Sequence, residues 1–361
     1  WPADKRIMGS AKFIDENTIQ IDDHTQITAK SFVIATGSRP VILPQWQPLG
    51  DRLIINDDVF SWGTLPKSVA VFGPGVIGLE LGQALHRLGV KVEIFGLGGI
   101  IGGISDPVVS DEAKAVFGEE LKLHLDAKTE VKLDADGNVE VHWEQDGEKG
   151  VFVAEYMLAA VGRRPNVDNI GLENINIEKD ARGVPVADPL TMQTSIPHIF
   201  IAGDASNQLP LLHEAADQGK IAGDNAGRYP NIGGGLRRST IGVVFTNPQI
   251  GFVGLKYAQV AAQYQPDEFV IGEVSFKNQG RSRVMLVNKG HMRLYAEKAT
   301  GRFIGAEILG PAAEHLAHLL AWAHQMKMTV PQMLEMPFYH PVIEEGLRTA
   351  LRDADAKLKQ A

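Results

Sequence analysis

Apolar and polar positions along the chain follow two periods, and the change between them marks out the elements. Residues 11–36 alternate; Phe13 and Ile14, then Ile19 and Ile21, around Asp15-Glu16-Asn17, predict a hairpin, and Phe32–Ala35 a further strand. Val69–Phe72 is an unbroken apolar run of the kind a parallel strand buried on both faces needs. Ile77, Leu81, Ala84, Leu85 and Leu88 then recur at helical spacing, Gly89 suits the position just past a helix end, and Val90–Phe95 reads as the next strand. Asp106-Pro107 starts another helix, residues 129–143 predict a hairpin turning at Asp136-Gly137, and Tyr156–Val161 a strand. Ile199–Ala202 is a short strand, His213–Gly227 a long helix, and Gly233-Gly234-Gly235 reads as a linker. Beyond residue 240 strand-like runs dominate, at Phe269–Val274, Val284–Val287, Met292–Ala296 and Phe303–Leu309. Helical patterns over Pro311–Met326 and Val342–Leu351 close the chain, so strands followed by helices predict a separate α+β domain.

The turn between the strand Val69–Phe72 and its helix carries Gly73, Gly75 and Gly78 in the spacing G-x-G-x-x-G, with a further glycine at Gly82. Set between strand, helix and strand, that spacing predicts a dinucleotide site. The glycines allow a tight turn, a close approach to pyrophosphate and close helix–strand contact, and the helix N-terminus offers unpaired N–H groups. An acidic residue that would grip the NAD ribose is expected at the end of the second strand, where Gly96 stands, and no arginine replaces it for an NADP phosphate. Discrimination between NAD and NADP is therefore expected to be modest, and Gly96→Glu is expected to add NAD selectivity. The glycine-rich stretch Gly96–Gly103 lacks a strand–helix frame of its own and reads as a mobile turn.

Composition narrows the function. A length of 361 residues exceeds an ordinary single core and predicts two or three domains. The net charge of −9 and the absence of any basic run oppose a nucleic-acid surface. No apolar run reaches membrane-spanning length, so a cytoplasmic protein is expected. With no cysteine among the 361 residues, disulfides, thiolate metal sites and a thiol nucleophile within this chain are excluded. His315, His318 and His324 lie on one predicted helix, but their spacings do not put all three on one face, and no metal site is expected.

Two further groups carry candidate chemistry. Asp204, after Gly203 at the end of the strand Ile199–Ala202, stands where α/β folds hold ligands, although a solvated turn aspartate fits the local residues equally. In Phe338-Tyr339-His340-Pro341-Val342-Ile343-Glu344-Glu345, Pro341 is expected to start a helix, with His340 just before it and Glu345 one turn in. A carboxylate on one ring nitrogen would fix the tautomer and raise the basicity of the other. On these residues alone, a helix-capping histidine beside surface glutamates is the better fit.

Taken in order, these motifs resemble the FAD-dependent pyridine nucleotide–disulfide oxidoreductases, most closely the dihydrolipoamide dehydrogenase branch. Thr36-Gly37-Ser38-Arg39-Pro40 is similar to the family's A-T-G-x-x-P motif near FAD, and Gly73, Gly75, Gly78 and Gly82 to its NAD(P) motif. Glu80 matches the glutamate placed near nicotinamide and flavin, and Val161–Asn166, with Gly162, the V-G-R-x-P-N motif. Thr194–Asp204 resembles the second flavin motif, whose aspartate binds the ribityl chain, and Leu212-His213-Glu214-Ala215 the helix start that approaches the flavin ring. Phe245-Thr246-Asn247-Pro248 opens a region similar to the dimerisation domain, and His340 with Glu345 matches the H-P-x-x-x-E pair of the disulfide reductases.

The resemblance implies doubly wound, three-layer Rossmann-like domains for FAD and NAD(P), then an α+β dimerisation domain. It places the FAD domain at 1–52 and 168–236, the NAD(P) domain at 53–167 and the dimerisation domain at 237–361. It implies FAD, NAD or NADP as cofactors, a homodimer, and a small lipoamide-like dithiol as substrate. His340 and Glu345 would be catalytic; Gly73, Gly75, Gly78, Glu80, Gly162, Thr36, Gly37, Gly203, Asp204, Leu212 and His213 would bind cofactors. The family's first βαβ unit, with its own G-x-G-x-x-G, and its redox-active cysteine pair have no counterpart in the sequence. On that ground the 361 residues alone are expected to hold FAD weakly. The alternatives are a transhydrogenase or metal-ion reductase of the same fold, neither of which needs a thiol base at His340, or a non-catalytic nucleotide-binding dimer.

Overall fold

The computed structural model describes residues 2–360, and the chain divides into two compact units. The first comprises the residues through Pro40 together with Arg163–Arg237. Its N-terminal hairpin gains a third strand, giving an antiparallel sheet of Ala11–Asp15, Thr18–Ile21 and Thr25–Thr28. Phe32–Ile34 runs parallel to Ile199–Ile201, and Ser38–Pro40 pairs antiparallel with Arg163–Pro165. Phe13, Ile34, Leu172, Ile199, Ile201 and Ala205 share one core. The glycine-rich stretch expected to be a linker is tied down instead. Gly233 exchanges hydrogen bonds with the buried Asn225 side chain, and a Cβ at Gly235 would fall 2.3 Å from Ile221 Cγ1.

The second unit, Val41–Gly162 and Arg238–Ala361, contains the remaining sheets. Five parallel strands lie in the order Leu53–Ile54, Tyr156–Ala159, Ser68–Phe72, Lys91–Phe95, Lys122–His124. An antiparallel three-stranded sheet, Lys128–Leu133, Val139–Gln145 and Glu148–Ala154, follows before the chain returns to the parallel sheet at Tyr156–Ala159. Residues 41–52 pack with this sheet through Trp46 and Leu49, which join the core of Phe72 and Phe95.

The C-terminal part is α+β, as expected. Its antiparallel sheet runs Ile241–Val244, Gln249–Gly254, Phe303–Gly310, His291–Glu297, Phe269–Ser275. Phe303–Gly310 is central and buried at every position, while Ala313–Gln325 and Glu345–Lys359 cover the sheet. Two local expectations are corrected. Val284–Val287 forms no strand: Gly280–Val284 is a short helix, whose first turn the Gln279 side chain caps through the Ser282 N–H. The last helix begins at Glu345 rather than Pro341 and runs to Lys359. Glu344 is its N-cap, and residues 341–344 form bends and turns.

Within this unit, Asp106 and Glu307 are fully buried carboxylates. Asp106 caps Pro107–Gly118 through the Val108 and Val109 N–H groups and takes Arg293 Nη1 at 3.2 Å and the Tyr295 hydroxyl at 2.9 Å. Glu307 accepts from the backbone N–H of Ser105 at 2.7 Å, of Asp106 at 3.2 Å and of Tyr257 at 2.8 Å. Burial first, then the two carboxylates, holds the Tyr295 hydroxyl protonated far above its ordinary range. Removing one member leaves charges and donors buried without partners, the costly way to break such a cluster. Asp106→Ala is expected to lower stability by about 3–5 kcal/mol. Glu144→Ala, which breaks the exposed pair with Lys149, should change it by less than about 1 kcal/mol. Urea unfolding followed by tryptophan fluorescence would compare the two, and equal effects would dismiss the cluster as a structural anchor.

Candidate functional site

The glycine turn explains itself atom by atom. Gly73 adopts a φ of +107°, in the left-handed region that suits glycine, and its N–H donates to the Phe95 carbonyl at 2.8 Å. A Cβ there would lie 2.3 Å from the Ala160 carbonyl oxygen. At Gly78 it would fall 1.8 Å from the Gly73 carbonyl oxygen, and at Gly82 2.9 Å from Ile94 Cδ1. Gly75 differs: a Cβ would meet no protein atom within 4 Å, so its backbone faces open space. The helix Val76–Arg87 starts there without a side-chain cap, leaving its first N–H groups for a ligand. This arrangement fits a dinucleotide pyrophosphate.

The helix buries part of the set that recurs at helical spacing: Leu85 is buried and Ile77 and Leu81 are half-buried. Gly78, Leu79, Gly82, Gln83 and Leu85 are buried, whereas Ala84 and Leu88 are exposed. Glycines at 78 and 82 let the backbone lie against the strands, so close approach decides the packed face rather than side-chain size. Gln83 was not singled out from the sequence. Its amide both donates to the Asn247 carbonyl at 2.9 Å and accepts from the Asn247 N–H at 2.8 Å. Glu80 is half-buried and accepts from the Phe245 N–H at 2.7 Å, so the glutamate and the start of the C-terminal sheet are joined directly. Gly162 adopts a φ of +113° and accepts from the Val41 N–H.

The stretch Gly96–Gly103 is anchored rather than mobile. Gly96 N–H donates to the His124 carbonyl, Gly99 N–H to Leu125, Gly98 N–H to the Asp126 carboxylate and Gly102 N–H to Pro74. Ile101 is fully buried among the strands and helices of the parallel sheet. The space at Gly96 also corrects the substitution expected to add selectivity: a Cβ would sit 2.5 Å from Pro74 Cγ and 2.6 Å from Cδ. A glutamate cannot be added there while Pro74 keeps its place.

In the first unit, Gly37 and Gly203 both adopt a φ of +68°. Ser38 Oγ donates to Asp204 Oδ2 at 2.6 Å, and Arg163 Nε donates to Ser38 Oγ at 2.8 Å. Asn166 fixes the same turn by donating its N–H to the Gly37 carbonyl and its amide to the Thr36 carbonyl. Arg39 pairs with Asp168 and Asn166. Thr36, Gly37 and Asp204 are thus brought together with Ser38, Arg163 and Asn166, whose long-range partners no local pattern discloses. Gly203 N–H donates to buried Gln218, fixing the turn to the helix Leu212–Arg228. Leu212 and His213 stand exposed at that helix's uncapped start. A strand-end carboxylate and free helix N–H groups suit the hydroxyls and ring edge of a flavin.

His340 and Glu345 meet as expected, although not through a helix starting at Pro341. His340 Nδ1 lies 2.9 Å from Glu345 Oε1 and 3.1 Å from Oε2, and the imidazole is 81% exposed. The Val342 N–H donates to the same carboxylate at 3.2 Å. The His340 bond first, then that N–H, holds the Glu345 carboxyl below the usual carboxylate range. An ionised partner at Nδ1 assigns the proton there and leaves Nε2 to exchange one.

The glycine geometry separates two kinds of defect. Gly78→Ala forces backbone apart and is expected to cost at least about 1–3 kcal/mol. Gly75→Ala should leave the thermal midpoint nearly unchanged and instead weaken nucleotide binding, measured by calorimetric titration. Full nucleotide affinity in Gly75→Ala would show that no ligand backs onto that turn.

Comparison with known proteins follows the same outline. The sequence matches the profile of the pyridine nucleotide-disulphide oxidoreductases over residues 3–219 and that of their dimerisation domain over 240–351. It is 32% identical over 343 residues to a dihydrolipoyl dehydrogenase of Geobacillus stearothermophilus, covering 94% of this chain and 72% of that protein. A dihydrolipoyl dehydrogenase of Bacillus subtilis (strain 168) is 30% identical over 347 residues, with the same 94% and 72% coverage. Among solved structures, LpdA from Mycobacterium tuberculosis superposes with a TM-score of 0.80 at 25% identity, over 96% of this chain and 76% of that one. The HOCl-induced flavoprotein disulfide reductase RclA from Escherichia coli gives 0.80 at 21% identity, over 97% and 78%, a likeness of fold. The chain belongs to the pyridine nucleotide–disulphide oxidoreductases, enzymes that use FAD and a nicotinamide nucleotide.

Proposed function

We propose that this chain serves a dihydrolipoamide dehydrogenase-like reaction, with a small dithiol as the substrate, NAD or NADP at the glycine turn, and His340 as the base that serves a thiol. The observation that carries this reading is the His340–Glu345 pair, an exposed imidazole fixed at Nδ1 by an ionised carboxylate. Hydride transfer alone needs no such base, whereas exchange between a dithiol and a disulfide turns on moving a thiol proton. Bound FAD would supply the two-electron chemistry between the nicotinamide and that disulfide.

The chain's own residues divide the remaining work. Gly73, Gly75 and Gly78 shape the turn and the free helix N-terminus for the pyrophosphate, Glu80 would stand near the nicotinamide, and Gly162 would complete the nucleotide site. Thr36, Gly37, Gly203 and Asp204 would hold the flavin's ribityl side, and the backbone at Leu212 and His213 would serve its ring. His340 Nε2 takes the thiol proton and returns it, while Glu345 keeps the ring oriented. With no cysteine in the sequence, the thiol served lies outside these 361 residues. On the family's pattern it belongs to a second subunit.

A homodimer suits the surface around His340. Tyr339 is 79% exposed, and Leu319, Trp322 and Met326 stand exposed on the helix Ala313–Gln325 and just past its end, an apolar area that a second copy would cover. Among the described residues no helix is long and apolar enough to cross a membrane, and a cytoplasmic location is proposed with the function.

His340→Ala is expected to slow dithiol oxidation by about 10²–10⁴ while flavin reduction by the nicotinamide stays nearly unchanged. Glu345→Gln should cost less, because the imidazole remains. Stopped-flow flavin reduction and steady-state dithiol turnover in the full-length protein resolve the two half-reactions. Equal damage to both, or to neither, would reduce His340 to a structural histidine.

A further inference from the structure

We propose that Pro74 and Gly96 form a coupled specificity-determining pair. The proline ring fills the place where a ribose-reading side chain would stand, so the site takes nucleotides with and without a 2′-phosphate. The inference rests on the reading of the glycine turn as a nucleotide site and goes beyond it to how that site reads the adenosine ribose.

Three observations support the coupling. A Cβ at Gly96 would lie 2.5 Å and 2.6 Å from Pro74 Cγ and Cδ, contacts that real side chains essentially never make. Neither backbone can retreat easily. Pro74 is buried and accepts from Gly102 N–H at 2.7 Å, while Gly96 donates to the His124 carbonyl at 2.8 Å and accepts from Ala127 N–H at 3.2 Å. The loop beyond supplies no substitute reader. Gly98 and Gly99 have no side chains, and Leu97 is apolar and 73% exposed. Of the charges beside that loop, Lys256 Nζ is spent on the Gly103 carbonyl at 2.8 Å, and the other two are of opposite sign. Asp126 accepts from Gly98 N–H at 2.8 Å, and Lys114 Nζ lies 3.8 Å from the Cβ position of Gly99. Neither a hydroxyl nor a phosphate is singled out there.

This coupling makes the single substitution and the double one behave differently. Glutamate at 96 must displace the proline ring and disturb the turn that holds the pyrophosphate. Alanine at 74 removes Cγ and Cδ, the two atoms in the way, and opens the place for the carboxylate. A carboxylate there would bond ribose hydroxyls and repel a 2′-phosphate.

The test uses ADP-ribose and its 2′-phosphate, redox-inert probes, in calorimetric titrations of the full-length protein, with thermal melts to confirm folding. The wild type is expected to bind the two with affinities differing by less than about tenfold, since no charge-assisted contact separates them. Gly96→Glu should weaken both by about tenfold or more. Pro74→Ala/Gly96→Glu should recover ADP-ribose and prefer it over the 2′-phosphate by more than about tenfold. A wild-type ratio beyond about tenfold overturns the proposal. So does a Gly96→Glu protein that gains the preference without loss, or a double variant that fails to recover. If Gly96→Glu alone does not fold, the wild type and the double variant still decide. A wild type that binds neither probe would instead reject the nucleotide site itself.

Discussion

The second unit depends on two carboxylates taken out of water and surrounded by donors. Burying a charge is costly unless it is paired and hydrogen-bonded, and each partner of Asp106 and Glu307 removes part of that cost. Glu307 comes from the central strand of the C-terminal sheet, yet besides Tyr257 it accepts from Ser105 and Asp106, where the helix Pro107–Gly118 begins. Asp106 caps that helix and reaches back to Arg293 and Tyr295 on the neighbouring strand. The C-terminal sheet and the parallel sheet are therefore joined by charge and geometry as well as by apolar contact. Gly96–Gly103 leads into this junction, with its Gly103 carbonyl taken by Lys256 Nζ, and at its start it is tied to His124, Leu125 and Asp126 on and just past the neighbouring strand. That explains why a run of glycines is ordered. Its conformational freedom is used to reach unusual φ values rather than to move.

The parts of the fold legible in the sequence are those whose cause is local. The strand Ser68–Phe72, the glycine turn and the helix after it declare themselves because period, spacing and cap all fall within a few residues. The His340–Glu345 pair, five residues apart, was expected only through the resemblance, since the local residues fit a helix-capping histidine better. Val284–Val287 shows the opposite case. Four apolar residues suggest a strand, but the Gln279 cap and Gly280 begin a helix, and Met285 and Leu286 stay exposed. On Val76–Arg87 the glycines at 78 and 82 decide the close approach, an effect that apolar spacing alone does not disclose.

What could not be read is the set of contacts that bring distant segments together. Nothing near Gln83 indicates that its amide would take both backbone groups of Asn247. Nothing near Asp204 names Ser38 and Arg163 as its neighbours. Buried polar groups of this kind must be satisfied once the fold has formed, so their partners are set by topology rather than by sequence distance. Asp204 gains from this a defined orientation, because Arg163 positions the very hydroxyl that donates to the carboxylate.

Gly96 brings the two kinds of information together. Its identity was visible in the sequence as a missing carboxylate, and the natural inference was that a carboxylate could be supplied. The structure moves the cause to Pro74, a residue that occupies a variable position of the glycine motif and that the motif itself does not constrain. Glycine at 96 is then the residue that fits rather than one that lost its function. Pyrophosphate recognition by backbone N–H groups and a helix N-terminus needs no side chain at 96, so the turn can hold a nucleotide while leaving its ribose unread. The same geometry that makes the turn rigid removes the place from which selectivity is usually added.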